Sequence, residues 1–60
     1  MLYSLEIQYP DRSDFVYGTL AAVTAVFTVM KLQRGIEQMA LLDTRGSIID
    51  KWVQITNWEL

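Results

Sequence analysis

The feature that most constrains this sequence is a run of sixteen residues, Phe15 to Met30, that contains no charged side chain. Its polar side chains are Tyr17 and three threonines. A helix at a protein surface normally carries charged residues opposite its apolar stripe, whereas a helix that is apolar all round is buried all round. The run therefore predicts a segment that must be covered on more than one side.

We expect most of this run to lie in one long helix over about residues 13–34. Residues suited to cap a helix N-terminus stand at its start: Asp11, Ser13 and Asp14. A basic last turn and a glycine stand at its end: Lys31, Arg34 and Gly35. Apolar residues at helical spacing form one continuous stripe: Val16, Leu20, Val23, Phe27 and Met30.

A strand remains an open alternative for part of this segment. Many of its residues are β-branched, which favours strands over exposed helices. Residues 24–29, Thr-Ala-Val-Phe-Thr-Val, could form a strand in an all-β meander. We prefer the helix because capping residues stand at both ends and the alanines cluster inside.

Residues 2–9 alternate between apolar and polar side chains, which is typical of a half-buried strand. One side of it holds Tyr3, Leu5, Ile7 and Tyr9, and the other holds Ser4, Glu6 and Gln8. Pro10 ends the strand because it cannot donate a ladder hydrogen bond, and Pro10-Asp11 favours a turn.

The tetrapeptide Asp43-Thr44-Arg45-Gly46 predicts a type I turn between strands over 36–42 and 47–56. Outward pairing sets Leu42 near Ser47, Ala40 near Ile49, and Ile36 near Val53. A helix from Ser47 is the alternative, since Ser47 and Asp50 fit a capping pattern. The predicted fold is one α+β domain over residues 1–60, with βαββ order and one long helix packed on one face of a three-stranded antiparallel sheet.

The amino-acid composition excludes the most common kinds of catalytic and metal-binding site. The chain has no histidine and no cysteine, so it lacks the usual zinc ligands, the usual general base and any disulfide. The acidic residues Asp11 and Asp14 are explained by helix capping. We therefore expect no enzyme activity, no metal and no cofactor. The net charge of −2 argues against a nucleic-acid partner, and no signal-peptide pattern precedes the first strand, so the expected compartment is the cytoplasm.

A chain of 60 residues, expected from its initial Met1 to be a complete small product, buries only about 60% of its unfolded surface and is marginal alone. Because disulfides and metals are absent, oligomerisation is the remaining way to stabilise so small a domain. We predict that small residues opposite the apolar stripe form a close-packing face: Gly18, Ala21, Ala22, Ala25 and Thr28. Trp52 and Trp58 are further candidate contacts because tryptophan is frequent at binding hot spots.

The predicted function is a small non-enzymatic protein-binding module that self-associates, as an adaptor, an inhibitor or an assembly subunit. Its expected partners are a second copy, in a homodimer or higher oligomer, and another protein. We expect association through the small-residue face of the helix or through the second face of the sheet. The alternative is a small single-span membrane protein with residues 15–32 as the span. Sixteen residues rise only about 24 Å as a helix, which is short for a hydrocarbon layer of about 30 Å, so we favour the protein partner.

Overall fold

The computed structural model describes residues 2–54, which form an α+β domain with one helix on one face of a four-stranded antiparallel sheet. The strands are β1 (Tyr3–Gln8), β2 (Ser13–Gly18), β3 (Gln38–Leu42) and β4 (Ile48–Val53), and helix α1 (Leu20–Met30) lies between β2 and β3. The sheet order is β2-β1-β3-β4. The α+β class is confirmed, but the predicted three strands and βαββ order are wrong, because the described order is ββαββ.

The additional strand, β2, occupies residues predicted as the first turns of the helix. The Tyr9 N–H donates to the Arg12 carbonyl at 2.8 Å, which closes a tight turn around Pro10-Asp11 and folds β2 back onto β1. Ser13 and Asp14 therefore lie in a strand and do not cap a helix. The physical reason is that aromatic and β-branched residues suit a pleated surface, and β1 is the nearest partner for their backbone.

Helix α1 is consequently shorter at both ends than the predicted 13–34. Thr19 has extended backbone angles (φ −68°, ψ 161°) and caps the N-terminus, and the cap at the other end is Lys31. Gly35 has a positive φ of 89° but lies in the following loop, beyond the helix cap. Residues 24–29 are helical, so the strand alternative for them is wrong.

The predicted membrane-span segment, residues 15–32, is divided between β2 and α1. Among residues 2–54, no helix has both the length and the apolar character needed to cross a bilayer.

The helix connects two strands that run parallel to each other on either side of β1. Both β2 and β3 are antiparallel to β1, and α1 crosses over β1 between them, packing on all three strands. The core lies beneath the helix. Its buried members are Leu5, Ile7, Val23, Phe27, Ile36, Met39 and Leu41. The alternation predicted for β1 is confirmed, since Leu5 and Ile7 face this core.

The predicted hairpin is present, with a different register. Gly46 N–H donates to the Asp43 carbonyl at 3.0 Å, and Gly46 adopts a positive φ of 87°, so the turn and its glycine are as predicted. The strands, however, pair Ala40 with Lys51 and Gln38 with Val53. The predicted pairing is wrong because the loop closes at Ser47 and a bulge follows at Leu41/Leu42. Residues 48–53 are a strand, so the helix alternative from Ser47 is also wrong.

Candidate interaction surfaces

The outward face of α1 carries most of the predicted small-residue contacts. Its small members are exposed: Ala21, Ala22, Ala25 and Thr28. The Thr28 hydroxyl donates to the Thr24 carbonyl at 3.0 Å, so it is satisfied within the helix. Val29 is 56% exposed and Leu32, just beyond the helix, is 83% exposed. This face is therefore apolar, uncharged along the helix itself, and open to solvent.

Gly18 does not belong to the helix, contrary to its predicted place on that face. It is the last residue of β2. Gly18 nevertheless lies next to Ala22 of the helix, because a Cβ added to Gly18 would lie 3.5 Å from the Cβ of Ala22. That distance is an ordinary van der Waals contact, so an alanine would fit at position 18.

Of the two tryptophans predicted as partner contacts, only Trp52 lies among the described residues. Trp52 lies on β4 opposite Met39, is half-buried, and packs against the core on the helix side of the sheet. Within residues 2–54, no Cα atom of β4 lies within 8 Å of a Cα atom of α1, so Trp52 lies apart from the outward face of the helix. Trp58 falls outside the described residues.

The opposite face of the sheet, which was predicted as the alternative association surface, is a second open surface. Strand pairing lines its side chains up in three cross-strand rows. In the order β2, β1, β3, β4, the rows are Tyr17–Ser4–Leu42–Ile48, Phe15–Glu6–Ala40–Lys51 and Ser13–Gln8–Gln38–Val53. Apolar side chains are concentrated near the two edges, and polar ones lie along the central strand β1. We call this surface the outer sheet face.

Two aromatic residues dominate the β2 side of the outer sheet face. Phe15 is 49% exposed and Tyr17 is 63% exposed. Their rings are stacked, with centroids 6.2 Å apart and planes 13° from parallel. Val16, between them, packs against the core, so the exposure of both aromatic rings follows from the alternation of side chains along a strand.

The centre of the outer sheet face holds a shallow depression of about 110 Å³ above Ala40. Glu6 and Lys51 lie on opposite sides of this small residue. The Gln8 side-chain amide donates to a Glu6 carboxylate oxygen at 3.4 Å, and the Gln38 amide donates to Gln8. Three of the polar side chains that line the depression, Glu6, Gln8 and Gln38, therefore already hydrogen-bond to one another.

Two acidic residues, Asp11 and Asp14, lie beside Arg12 at the turn between β1 and β2. The Arg12 guanidinium lies 3.6 Å from the Asp11 carboxylate and 3.7 Å from that of Asp14, and it also stacks 4.0 Å above the Tyr9 ring. Asp11 and Asp14 therefore flank Arg12 and do not cap a helix as predicted. In the described part of the chain, acidic residues form no cluster of three that could hold a metal ion.

The Asp43 carboxylate accepts hydrogen bonds that lower its pKa. Hydrogen bonds from the N–H groups of Ser47 and Arg45, at 2.9 and 2.8 Å, lower the pKa of Asp43 below its ordinary value. The carboxylate holds the ends of the β3–β4 turn together. Its charge is therefore explained by the hairpin, with no need for a reaction or a ligand.

The chain matches no protein-family model, no curated protein and no solved structure. Its function must therefore be inferred from its own surfaces.

Proposed function

We propose that the protein is a small non-enzymatic protein-binding module that associates with copies of itself, as an adaptor, an inhibitor or an assembly subunit. The observation that carries the proposal is the apolar surface that the fold leaves uncovered. Among residues 2–54, nine large apolar side chains are exposed, whereas the buried core has seven members. The exposed side chains lie on both sides of the domain, so the domain's own elements leave them in water.

The energetics favour a partner for a domain of this size. Each large apolar side chain that becomes fully buried contributes about 1.5–3 kcal/mol. Association costs about 4–15 kcal/mol of lost freedom. The exposed apolar side chains of this domain start 42–83% exposed, so their burial in an interface recovers part of that contribution and acts against the cost. It also adds stability to a protomer whose core is small.

The two open surfaces support different roles. The outer sheet face and the outward face of α1 lie on opposite sides of the sheet, so a second copy and another protein can bind at the same time. We propose that the outward face of α1 binds the other protein. Its chemistry is apolar and uncharged along the helix, so it suits an apolar partner face better than nucleic acid or another charged ligand.

The non-enzymatic part of the proposal is supported by the chain's chemistry. It has no histidine and no cysteine. Asp43 accepts hydrogen bonds within the β3–β4 turn, and Asp11 and Asp14 pair with Arg12. We also propose a cytoplasmic location, because a domain without disulfides does not need an oxidising compartment.

Thermal unfolding at several protein concentrations, without detergent, tests this function. When the native form is an oligomer, the midpoint temperature rises with protein concentration. We expect such a rise between micromolar and millimolar protein. A midpoint independent of concentration would contradict self-association, and recovery of the chain only in detergent would favour the membrane-span alternative for residues 15–32.

A further inference from the structure

The outer edge of β2 presents backbone groups that β1 does not use. The hydrogen bond between Tyr9 and Arg12 marks them as a hydrogen-bonded pair of the β1–β2 ladder. Such pairs alternate with non-hydrogen-bonded pairs in an antiparallel ladder. Every second residue from Arg12 therefore turns its N–H and C=O toward β1. The residues between them turn these groups outward: Ser13, Phe15 and Tyr17.

The other edge of the sheet is protected by its own residues. The ladder beside β4 contains a bulge at Leu41/Leu42, and the middle of β4 carries Asp50 and Lys51. Lys51 N–H already donates to the Asp50 carboxylate at 2.8 Å. Bulges and charged residues are the means by which proteins prevent an edge strand from pairing with another chain. The free edge of β4 is therefore a poor docking site.

Strand β2 has no bulge and carries a single charged residue. Its pairing with β1 is regular throughout, and its last four residues, 15–18, are uncharged. The one charge within the strand, on Asp14, lies 3.7 Å from the guanidinium of Arg12. Within residues 2–54, no strand lies beyond β2. This edge is thus chemically ready to accept another strand.

The outward N–H and C=O groups of β2 can pair with the same groups of a second copy. An antiparallel copy related by a two-fold axis at Phe15 sets Phe15 opposite Phe15 of the second copy. In the same register, Ser13 lies opposite Tyr17 of that copy, so every outward N–H meets an outward C=O. The charged Asp14 faces Val16 of the second copy, and like charges do not meet. The exposed aromatic rings of both copies then come together on the outer sheet face, where aromatic cross-strand pairs are stabilising.

We propose that the free edge of β2 is the self-association site, and that two copies join there into one continuous eight-stranded antiparallel sheet. This inference rests on the proposed self-association and names its surface. The helix α1 of each copy remains on the same side of the joined sheet, and its outward face is left for another protein.

Matched lysine substitutions test which surface joins the copies. Phe15→Lys places like charges opposite each other at the two-fold axis, and we expect the dimer dissociation constant to rise roughly tenfold or more. Val53→Lys, at the β4 side of the same face, and Val29→Lys, on the helix, are matched controls with similar exposure of the native residue. We expect both controls to dimerise as the unmodified chain does. Circular dichroism verifies that each variant is folded.

Amide hydrogen exchange on the unmodified chain provides a second test that needs no substitution. The amides of Phe15 and Tyr17 point outward and should become protected only as protein concentration rises. The amides of Asp14 and Val16 point toward β1 and should be protected at every concentration. Backbone pairing at the β2 edge produces this alternation, whereas contact through the helix or the sheet face does not.

The outcomes separate this inference from the function on which it rests. A chain that is monomeric at all concentrations overturns both. A dimer that Val29→Lys or Val53→Lys dissociates, while Phe15→Lys does not and the Phe15 and Tyr17 amides stay unprotected, overturns the β2 site but leaves self-association intact. Dissociation by Phe15→Lys with alternating amide protection supports the β2 edge.

Discussion

Thr19 accepts, through its Oγ1, a hydrogen bond from the backbone N–H of Ala22 at 3.2 Å. This bond satisfies one of the free amides in the first turn of α1. It marks the point at which β2 ends and the helix begins. The aspartates upstream, which resemble capping residues in the sequence, lie instead beside Arg12.

Loss of this cap should destabilise the fold. We expect Thr19→Ala to lower the free energy of unfolding by about 1 kcal/mol, the usual cost of removing an N-cap side chain. Thr24→Ala is the matched control, since Thr24 is exposed inside the same helix and alanine is the better helix former there. Urea unfolding at one fixed protein concentration measures both, and an equal effect of the two substitutions would contradict the capping role.

Two valines of the same helix should respond very differently to truncation. Val23 is fully buried, so Val23→Ala should lower the free energy of unfolding by about 2 kcal/mol through lost burial and the cavity left behind. Val29→Ala removes the same methyl groups from an exposed position and should be neutral or slightly stabilising. Denaturant unfolding of the pair checks this, and a similar loss for both would mean that Val29 is covered in the native protein.

Two glycines should likewise differ. Gly46 has a positive φ of 87° in the β3–β4 turn, and an L-residue held there costs about 1–2 kcal/mol. We expect Gly46→Ala to lower the midpoint temperature clearly. Gly18→Ala adds a Cβ at ordinary contact distance from Ala22, so it should be tolerated. The reverse order of the two thermal midpoints would contradict the described backbone.

The Asp43 carboxylate should make the hairpin's stability depend on pH. Its pKa is lower in the folded chain than in the unfolded chain, because the N–H groups of Ser47 and Arg45 bond to it. A lowered folded-state pKa contributes stability that is complete above the unfolded pKa of about 3.9. That contribution is lost as pH falls through the folded pKa.

The comparison of the native chain with Asp43→Asn measures this contribution. We expect the native chain to be more stable at neutral pH, and the difference in free energy of unfolding to shrink as pH falls below about 4. A difference that stays constant down to strongly acidic pH would show that the charge of Asp43 does not stabilise the turn.

Local patterns were sufficient to predict part of this fold. The alternation around Leu5 and Ile7 predicts β1 and its buried side, because a single period-two segment has one interpretation. Asp43 and Gly46 likewise predict the hairpin turn, because their roles depend on neighbouring backbone alone. Where structure depends on residues within a few positions, the sequence is sufficient.

The features of the fold that were predicted wrongly depend on residues that are distant in sequence. Phe15, Val16 and Tyr17 fit both an apolar helix stripe and an alternating strand, and the choice was decided by β1, which pairs with them. The register of β3 with β4 was set by a bulge at Leu41/Leu42, which no single residue in the sequence predicts. The exposed Phe15–Tyr17 pair was missed for the same reason, since its exposure follows only once residues 13–18 are known to be a strand.

The predicted helix surface had a mixed outcome. Ala21, Ala22, Ala25 and Thr28 are exposed on α1, as a partner-binding face requires. Their exposure follows from helical spacing, which the sequence shows directly. Gly18 was placed on the helix wrongly because the predicted helix began too early. Whether any of these residues bind a partner stays a prediction.

The most direct test of the central claim, that the fold leaves too much apolar surface open for a lone protomer, is the molar mass in solution. Light scattering on the unmodified chain, without detergent, measures it over a range of concentrations. We predict a mass that rises toward at least twice the 6.9 kDa of one chain. A mass that stays at that of one folded chain up to millimolar concentration would contradict the claim.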